Sequence, residues 1–446
     1  MMTDSTPSTA LPARPYSLPL MVLAFFLLYI FQGLFFGYIQ SISLLLKEHD
    51  FSYAQMSMLN LVSMPFYIKC FFSPFLDIYY SRRLGKRMTY ISVFSVLSAG
   101  CYLFIASRVN SWIDQRQVST LSTTLILTTF IIAIQDLAID ALAEEIFVRR
   151  DVKFGPITQS LGQIVGPLVS FNFFLFMNSR IPDLNIKFLW ALSIFTVLTT
   201  FALSFYIKER PSPNEFDSVL DIAKALPKFL QNRHIRKYLV FELSSSIPVM
   251  FFRNSSSLIL LERGLSKEDI SLLSLPTMVS AFVFSFLAGR LKLTINNTHR
   301  TLRLTYLMNL VNMGLGIWVI LGFDPESNYR STINWLYLLS VLEGGNYTTF
   351  VIRSNYSNLI CDNRLSCTFL AVMASLSNFS RLSLTPLFTL LLGWFDIRSL
   401  FLFFFSYAVF YLAFIFKKFI RFFGAATKDD FRLAGLETKT DKAKQE

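Results

Sequence analysis

Asp136 and Asp140 stand four residues apart in QDLAID, inside a run from 121 to 142 that is otherwise apolar. Four residues is one helical turn, so the two carboxylates share a face, and Glu144 continues it. Eleven Leu, Ile and Phe residues in that run favour membrane insertion by roughly 5–6 kcal/mol at ~0.5 kcal/mol each, whereas one central aspartate costs ~3 kcal/mol. Two nearly cancel the preference, so the acidic face must look at protein or water rather than lipid. Lys69 lies in a second apolar run, 55 to 76, at about the depth that Asp136 has in its own. Two readings follow. A buried ion pair of Lys69 with either aspartate would fix helix packing, or the carboxylates would contact a polar solute or carry protons. The readings are compatible if the pair breaks during a working cycle.

Further ionisable residues lie within apolar runs: Glu242, Arg253, Glu343, Arg353 and Arg381. Guanidinium groups donate in pairs to phosphate or carboxylate, so Arg253 and Arg381, near mid-membrane by residue count, would suit an anionic ligand. Pairing with the interior glutamates is the plainer account, and Arg353 is placed to reach lipid headgroups. Gly33-x3-Gly37 and Gly162-x3-Gly166 allow close helix approach. All three histidines, His49, His234 and His299, fall in expected loops, which leaves no intramembrane histidine for acyl transfer. No metal spacing or Gly-rich phosphate loop is present, so no cofactor is expected.

These residues need helices to carry them across a bilayer. With 53% hydrophobic, 16% aromatic and only 16% charged residues in 446, the chain exceeds what a soluble surface tolerates. Long apolar runs recur at about 20–45, 55–76, 88–107, 121–142, 154–177, 188–206, 239–261, 269–289, 303–322, 335–358, 366–392 and 397–416. Continuous runs with Gly and Pro interruptions indicate helices rather than barrel strands. The expected fold is therefore an all-α membrane protein of twelve transmembrane helices. Most of the 41 Lys and Arg residues fall on one side if both termini are cytosolic. Topology thus accounts for the +12 charge, and no nucleic-acid partner is expected. The longest cytosolic connection, about 207–238, carries KERPSPNEFDS and divides the runs six and six. The expected organisation is a cytosolic N-tail (1–19), a six-helix bundle (20–206), a linker (207–238), a second bundle (239–423) and a charged, disordered tail (424–446). Two such halves are the plan of the major facilitator fold.

The order of LYIFQGLFFGYIQ, PFYIKCFFSPFLDIYYSRRLGKR, QDLAIDALAEE, SLGQIVG, SLILLERGLSKEDISLLSLP and SCTFLAVMASLSN, from about 28 to 385, resembles the acetyl-coenzyme A transporter family of the major facilitator superfamily. The first half is also similar to bacterial muropeptide permeases. The resemblance implies that Gln32, Lys69, Gln135, Asp136, Asp140, Ser160, Gln163 and Asn378 line or brace a pathway. It also implies that Asp77 with Arg82, Arg83, Gly85, Lys86 and Arg87 forms a cytosolic latch, with plain positive-inside anchoring as the alternative for the basic residues. Coenzyme A thioesters carry phosphates, so a cavity with net positive or strongly hydrogen-bonding groups is expected. Arg253, Arg353 and Arg381 are departures from the family pattern. The turn GWFDIRS likewise replaces the family's long, cysteine-bearing insertion before the last helix.

Lys442 and Lys444, fifth and third from the end, resemble the di-lysine retrieval signal of endoplasmic reticulum proteins. The leading expectation is a secondary transporter of acetyl-CoA into the endoplasmic reticulum lumen by alternating access, proton-coupled or exchanging. Its partners would be that anionic solute and membrane lipids. Another organic anion is the alternative: glutathione disulfide, a muropeptide-like solute or another CoA ester. A non-transporting receptor or scaffold is the alternative of another class. Oligomeric state is not legible.

Overall fold

The computed structural model describes residues 17–81, 83–147, 154–178, 180–207, 226–291, 293–295, 297–361, 366–382 and 384–432. Among them every regular element is a helix. The chain opens with α1 (Leu18–Glu48). The second apolar run is then broken into α2 (Tyr53–Asn60), α3 (Met64–Ile68) and α4 (Ser73–Ile78), joined by 3-10 turns at Leu61–Ser63 and Lys69–Phe71. Proline explains the breaks, since Pro65 and Pro74 supply no N–H to the helical ladder. The Cys70 carbonyl, which Pro74 leaves without its helical donor, accepts from Ser73 Oγ at 2.8 Å. The Cys70 N–H donates at 3.0 Å to Ser375 Oγ on another helix.

There follow α5 (Lys86–Ala106), α6 (Val109–Asp114), α7 (Val118–Phe147), α8 (Phe154–Met177) and α9 (Leu184–Tyr206). The later helices are α10 (Leu226–Gln231), α11 (Arg233–Glu262), α12 (Lys267–Arg290), α13 (Thr298–Leu321), α14 (Tyr329–Glu343), α15 (Gly345–Leu359), α16 (Ser366–Leu382), α17 (Thr385–Trp394), α18 (Ile397–Phe410) and α19 (Phe416–Gly424). A π turn, Tyr411–Ile415, joins the last two.

Among the described residues eight helices are long and apolar enough to cross a membrane: α1, α5, α7, α8, α9, α12, α13 and the run Ile397–Gly424. The other four expected runs appear as α2–α4, α11, α14–α15 and α16–α17. Each of these is broken or polar. Polar side chains of these helices line a central cavity, and the apolar stretches of α16 and α17 are short, Thr368–Phe379 and Thr385–Trp394. Pro248 within α11 repeats the proline pattern: the Ser244 carbonyl it leaves free accepts from Tyr407 Oη at 3.2 Å.

The tightest crossing is α1 on α8. A Cβ on Gly33 would come within 2.5 Å of Pro167 Cδ, and one on Gly166 within 2.6 Å of Gly33 Cα. Both glycine motifs therefore serve packing. Two seams join early and late helices around the cavity. Along one, α2–α4 meet α16–α17 through Asn60 Nδ2 to Thr389 Oγ1 (2.8 Å) and a Tyr67–Phe379 edge contact. Along the other, α8 meets α12 through Asn172 Oδ1, which accepts from Ser271 (2.9 Å) and Ser274 (2.8 Å).

Three expectations need correction. The connection expected over 207–238 already contains α10 and the first turn of α11, while residues 208–225 lie outside the described ones. The tail expected to be disordered from 424 is folded through Arg432. There Phe431 is fully buried against Phe423, Tyr356 and His234. An aromatic pocket at the end of the bundle gives that ring a reason to dock; the retrieval-type lysines Lys442 and Lys444 lie outside the described residues. Finally, His234 sits in α11 and His299 in α13. His299 is buried, with Nε2 3.2 Å from Tyr356 Oη.

Candidate functional site: a charged central cavity

A cavity of about 1010 Å³ runs between the two seams, at the upper end of the ~300–1,000 Å³ range of small-molecule sites. Its wall holds three ionic clusters. In the first, the 3-10 turn after α3 aims Lys69 at α7. Lys69 Nζ pairs with Asp136 and lies 3.3 Å from Asp140 Oδ2. Lys69 and Asp136 are each 2% exposed, whereas the Asp140 side chain is 23% exposed. Asp140 therefore opens onto the cavity more fully than the inner pair, which lies buried at the wall. Asp140 Oδ1 also accepts from Tyr29 Oη and Gln159 Nε2, both at 3.0 Å. The other oxygen of Asp136 has no hydrogen-bond partner among the described residues.

In the second cluster Arg253 of α11 pairs with Glu343 at 3.0 Å and donates to Tyr347 Oη at 2.8 Å. In the third, Arg353 of α15 holds Glu242 at 3.0 Å, Ser246 Oγ at 2.9 Å and Ser245 Oγ at 2.7 Å. Tyr238 completes it by donating to Glu242 at 2.9 Å. Arg353 is thus an interior ion-pair residue and does not reach for headgroups, because Glu242 lies within the span of its side chain.

Sequence reasoning named several lining positions that the fold brings together: Gln32, Lys69, Asp136, Asp140, Ser160, Gln163, Arg253, Glu343 and Asn378 all face the cavity. Gln135 does not. Its neighbour Asp136 takes the cavity side of α7, and Gln135 Nε2 instead donates to Ser95 Oγ at 2.6 Å. Ser95 Oγ also accepts from Thr200 at 2.8 Å, which makes Gln135 a brace between α5, α7 and α9. Arg381 belongs to α16, but its side chain is outside the described ones, as are those of Asp77 and Glu144; Arg82 is outside altogether.

At the turn before α5, Gly85 adopts φ 99°, a conformation that favours glycine. Arg87 is 3% exposed and binds Glu145 of α7 at 3.1 Å, with Nη1 3.5 Å from the Leu76 carbonyl. It therefore ties α4, α5 and α7 rather than sitting in a solvated basic patch. Arg83 is exposed, its N–H 3.4 Å from Ser81 Oγ, and Lys86 is half-buried.

Tyr29, Gln159, Tyr238, Tyr347 and Lys428 are lining residues that the sequence reading missed. A signal existed for two of them. Tyr29, Gln32 and Phe36 recur at intervals of three and four on α1, and Gln159 precedes Gln163 by one turn. The described lining carries Lys69, Arg253, Arg353 and Lys428 against Asp136, Asp140, Glu242 and Glu343. Its formal charges balance, so the net positive cavity expected for a coenzyme A ester is not what the described walls present.

At the end of the bundle away from the termini, the halves are tied outside the cavity. Lys267 binds Glu48 at 2.8 Å, Lys47 lies 3.7 Å from Glu262, and Tyr53 hydrogen-bonds Glu262.

Residues 20–208 match the family described as acetyl-coenzyme A transporter 1. Over 89% of this chain and 99% of its own, a crystal structure of the nucleoside transporter NupG superposes with a TM-score of 0.59 at 14% identity. The chain has the major facilitator fold. The family match covers residues 20–208 and stops short of the second half, where the resemblance read from sequence continued. A D-xylose-proton symporter superposes with a TM-score of 0.60 at 13% identity, over 89% and 95% of the two chains. An uncharacterized protein of Schizosaccharomyces pombe is 23% identical over 399 residues, 84% of this chain and 73% of that one.

Proposed function

We propose that this transporter carries acetyl-CoA from the cytosol into the endoplasmic reticulum lumen by alternating access, with two six-helix halves rocking about the central cavity. The observation that carries the reading is the first cluster: a buried Lys69–Asp136 pair at the cavity wall, whose neighbouring carboxylate, Asp140, opens onto a cavity large enough for a cargo of that class. Such a pair can be opened by solute or by a proton arriving at Asp140, so the same residues would couple binding to the change of state. Both termini would be cytosolic. The ties at Glu48, Lys267, Lys47 and Glu262 would then close the luminal side, and the Asp77–Arg87 turn would latch the cytosolic side. Arg381 would add a cation to the pathway.

The balanced charge of the described walls supports a second reading, a less highly charged organic solute such as glutathione disulfide or a muropeptide-like compound. One screen separates the two. Purified protein in liposomes is given labelled acetyl-CoA with unlabelled coenzyme A, acetyl-CoA, glutathione disulfide or muropeptide as competitors. Saturable uptake competed by coenzyme A esters is the expected result. Failure of the wild type to take up any coenzyme A ester would remove acetyl-CoA as cargo. Uptake indifferent to an imposed pH gradient would argue for exchange over proton coupling.

A further inference from the structure

The folded piece of the tail supplies something that the ion-pair clusters do not. Of the four described lining cations, Lys69, Arg253 and Arg353 are each held by a carboxylate of the wall. Lys428 also lines the cavity, but it comes from beyond the last span, and its two acidic neighbours are engaged elsewhere. Asp429 pairs with Arg432 at 3.1 Å. Asp430 accepts from the Thr427 N–H at 2.8 Å and its hydroxyl at 2.9 Å. Those two bonds hold the Asp430 carboxyl below its ordinary range.

The segment is pinned at defined points. Asn232 Nδ2 donates at 3.0 Å to both the Asp430 and the Arg432 carbonyls. Its Oδ1 caps α11 by accepting from the His234 N–H (2.9 Å) and the Ile235 N–H (3.1 Å). Phe431 is inserted against Tyr356 of α15 and His234 of α11, and Ala426 is buried. Helices α11 and α15 also carry Tyr238, Glu242, Arg353 and Asn358 of the cavity wall. The pinned segment therefore crosses between two wall helices at the terminal end of the cavity.

We propose that residues 425–432 form a strap docked at this mouth and that Lys428 is the cation that selects negatively charged cargo there. The inference rests on the reading of the cavity as a solute pathway. An ammonium at a mouth raises the local concentration of anions and is screened by salt, so it acts on apparent affinity more than on turnover. Asn232 is a positioning residue: it acts on cargo only through the strap.

The test compares wild type, Lys428→Gln and Asn232→Asp in liposomes, with acetyl-CoA and the phosphate-free acetyl-pantetheine as cargo. Asn232→Asp keeps the cap acceptor of α11 and removes the two donors to the strap. Both variants are expected to raise KM for acetyl-CoA about fivefold at low salt, with kcat retained and acetyl-pantetheine uptake unchanged. The wild-type advantage should shrink at high salt. Asn232→Asp should also speed chymotrypsin cleavage after Phe431, a readout independent of any cargo. An unchanged KM and salt dependence in Lys428→Gln would overturn the selective role, and Phe431 still protected in Asn232→Asp would overturn the docking. Should wild type transport no coenzyme A ester, the cargo reading fails separately. Binding of adenosine 3′,5′-bisphosphate to detergent-purified protein then decides: weaker binding by Lys428→Gln supports the strap, and equal binding sinks it.

Discussion

Lys69→Met removes the cation that Asp136 and Asp140 share, and the geometry sets how severe that should be. Asp136 is buried at 2% exposure, so losing its partner leaves a buried carboxylate beside a second one. Breaking such a pair costs about 3–5 kcal/mol. Asp136→Asn is milder by construction. Lys69 keeps Asp140 at 3.3 Å, and the change falls to the scale of one charged hydrogen bond, about 1.5–3 kcal/mol. The double variant Lys69→Met with Asp136→Leu removes both buried charges and should recover most of the loss, because apolar replacement of a buried pair is often close to neutral. Thermal midpoints of detergent-purified protein should therefore rank wild type, then the double variant, then Asp136→Asn, then Lys69→Met. Uptake should be lost in all three variants. Additive penalties in the double variant, or a wild-type midpoint for Lys69→Met, would refute the buried pair as a coupled unit.

Gly37→Ala should prevent assembly, since its Cβ would strike Ser170 Oγ and the Pro167 backbone, whereas Gly100→Ala meets nothing within 4 Å and should raise stability by about 0.5–1 kcal/mol; fluorescence-detected size exclusion separates the two. Arg353→Lys keeps the charge but cannot reproduce the fork onto Glu242, Ser245 and Ser246, so its melting midpoint should fall by the equivalent of about 1–3 kcal/mol. Glu48→Gln loses one partly exposed tie to Lys267, a change of about 0.2–1 kcal/mol. The labelling rate of a cysteine placed at Gln40 should thus rise by at most about fivefold, and a much larger rise would show that this single tie holds the end shut.

Much of this was legible in the residues because charge within oil has few explanations. The QDLAID carboxylates, the lysine at matching depth and the two glycine motifs each imposed a geometric demand, and the fold meets all of them. The breaks in α2–α4 trace to Pro65 and Pro74, yet which orphaned backbone groups would be rescued by Ser73 and Ser375 depends on tertiary neighbours. Gln135 shows the limit in another way. It shares the motif with Asp136, but one residue on a helix is 100° of rotation, enough to turn it toward Ser95. The partners of Arg253 and Arg353 could not be chosen from sequence, because several carboxylates lie at similar depth. Phe431 and Lys428 were hidden for a different reason: a charged tail reads as solvated until an aromatic pocket on distant helices is seen to hold one of its rings.

The most direct test of the central claim is two-sided access to one wall position. Asn378→Cys, in a background with Cys70, Cys101, Cys361 and Cys367 replaced by serine, is treated in oriented vesicles with a membrane-impermeant thiol reagent from one face and then from the other. Labelling from both faces, slowed by cargo, is the predicted result. Labelling from one face alone, with no effect of any solute, would contradict a passage that opens alternately and leave the charged cavity as a closed structural core.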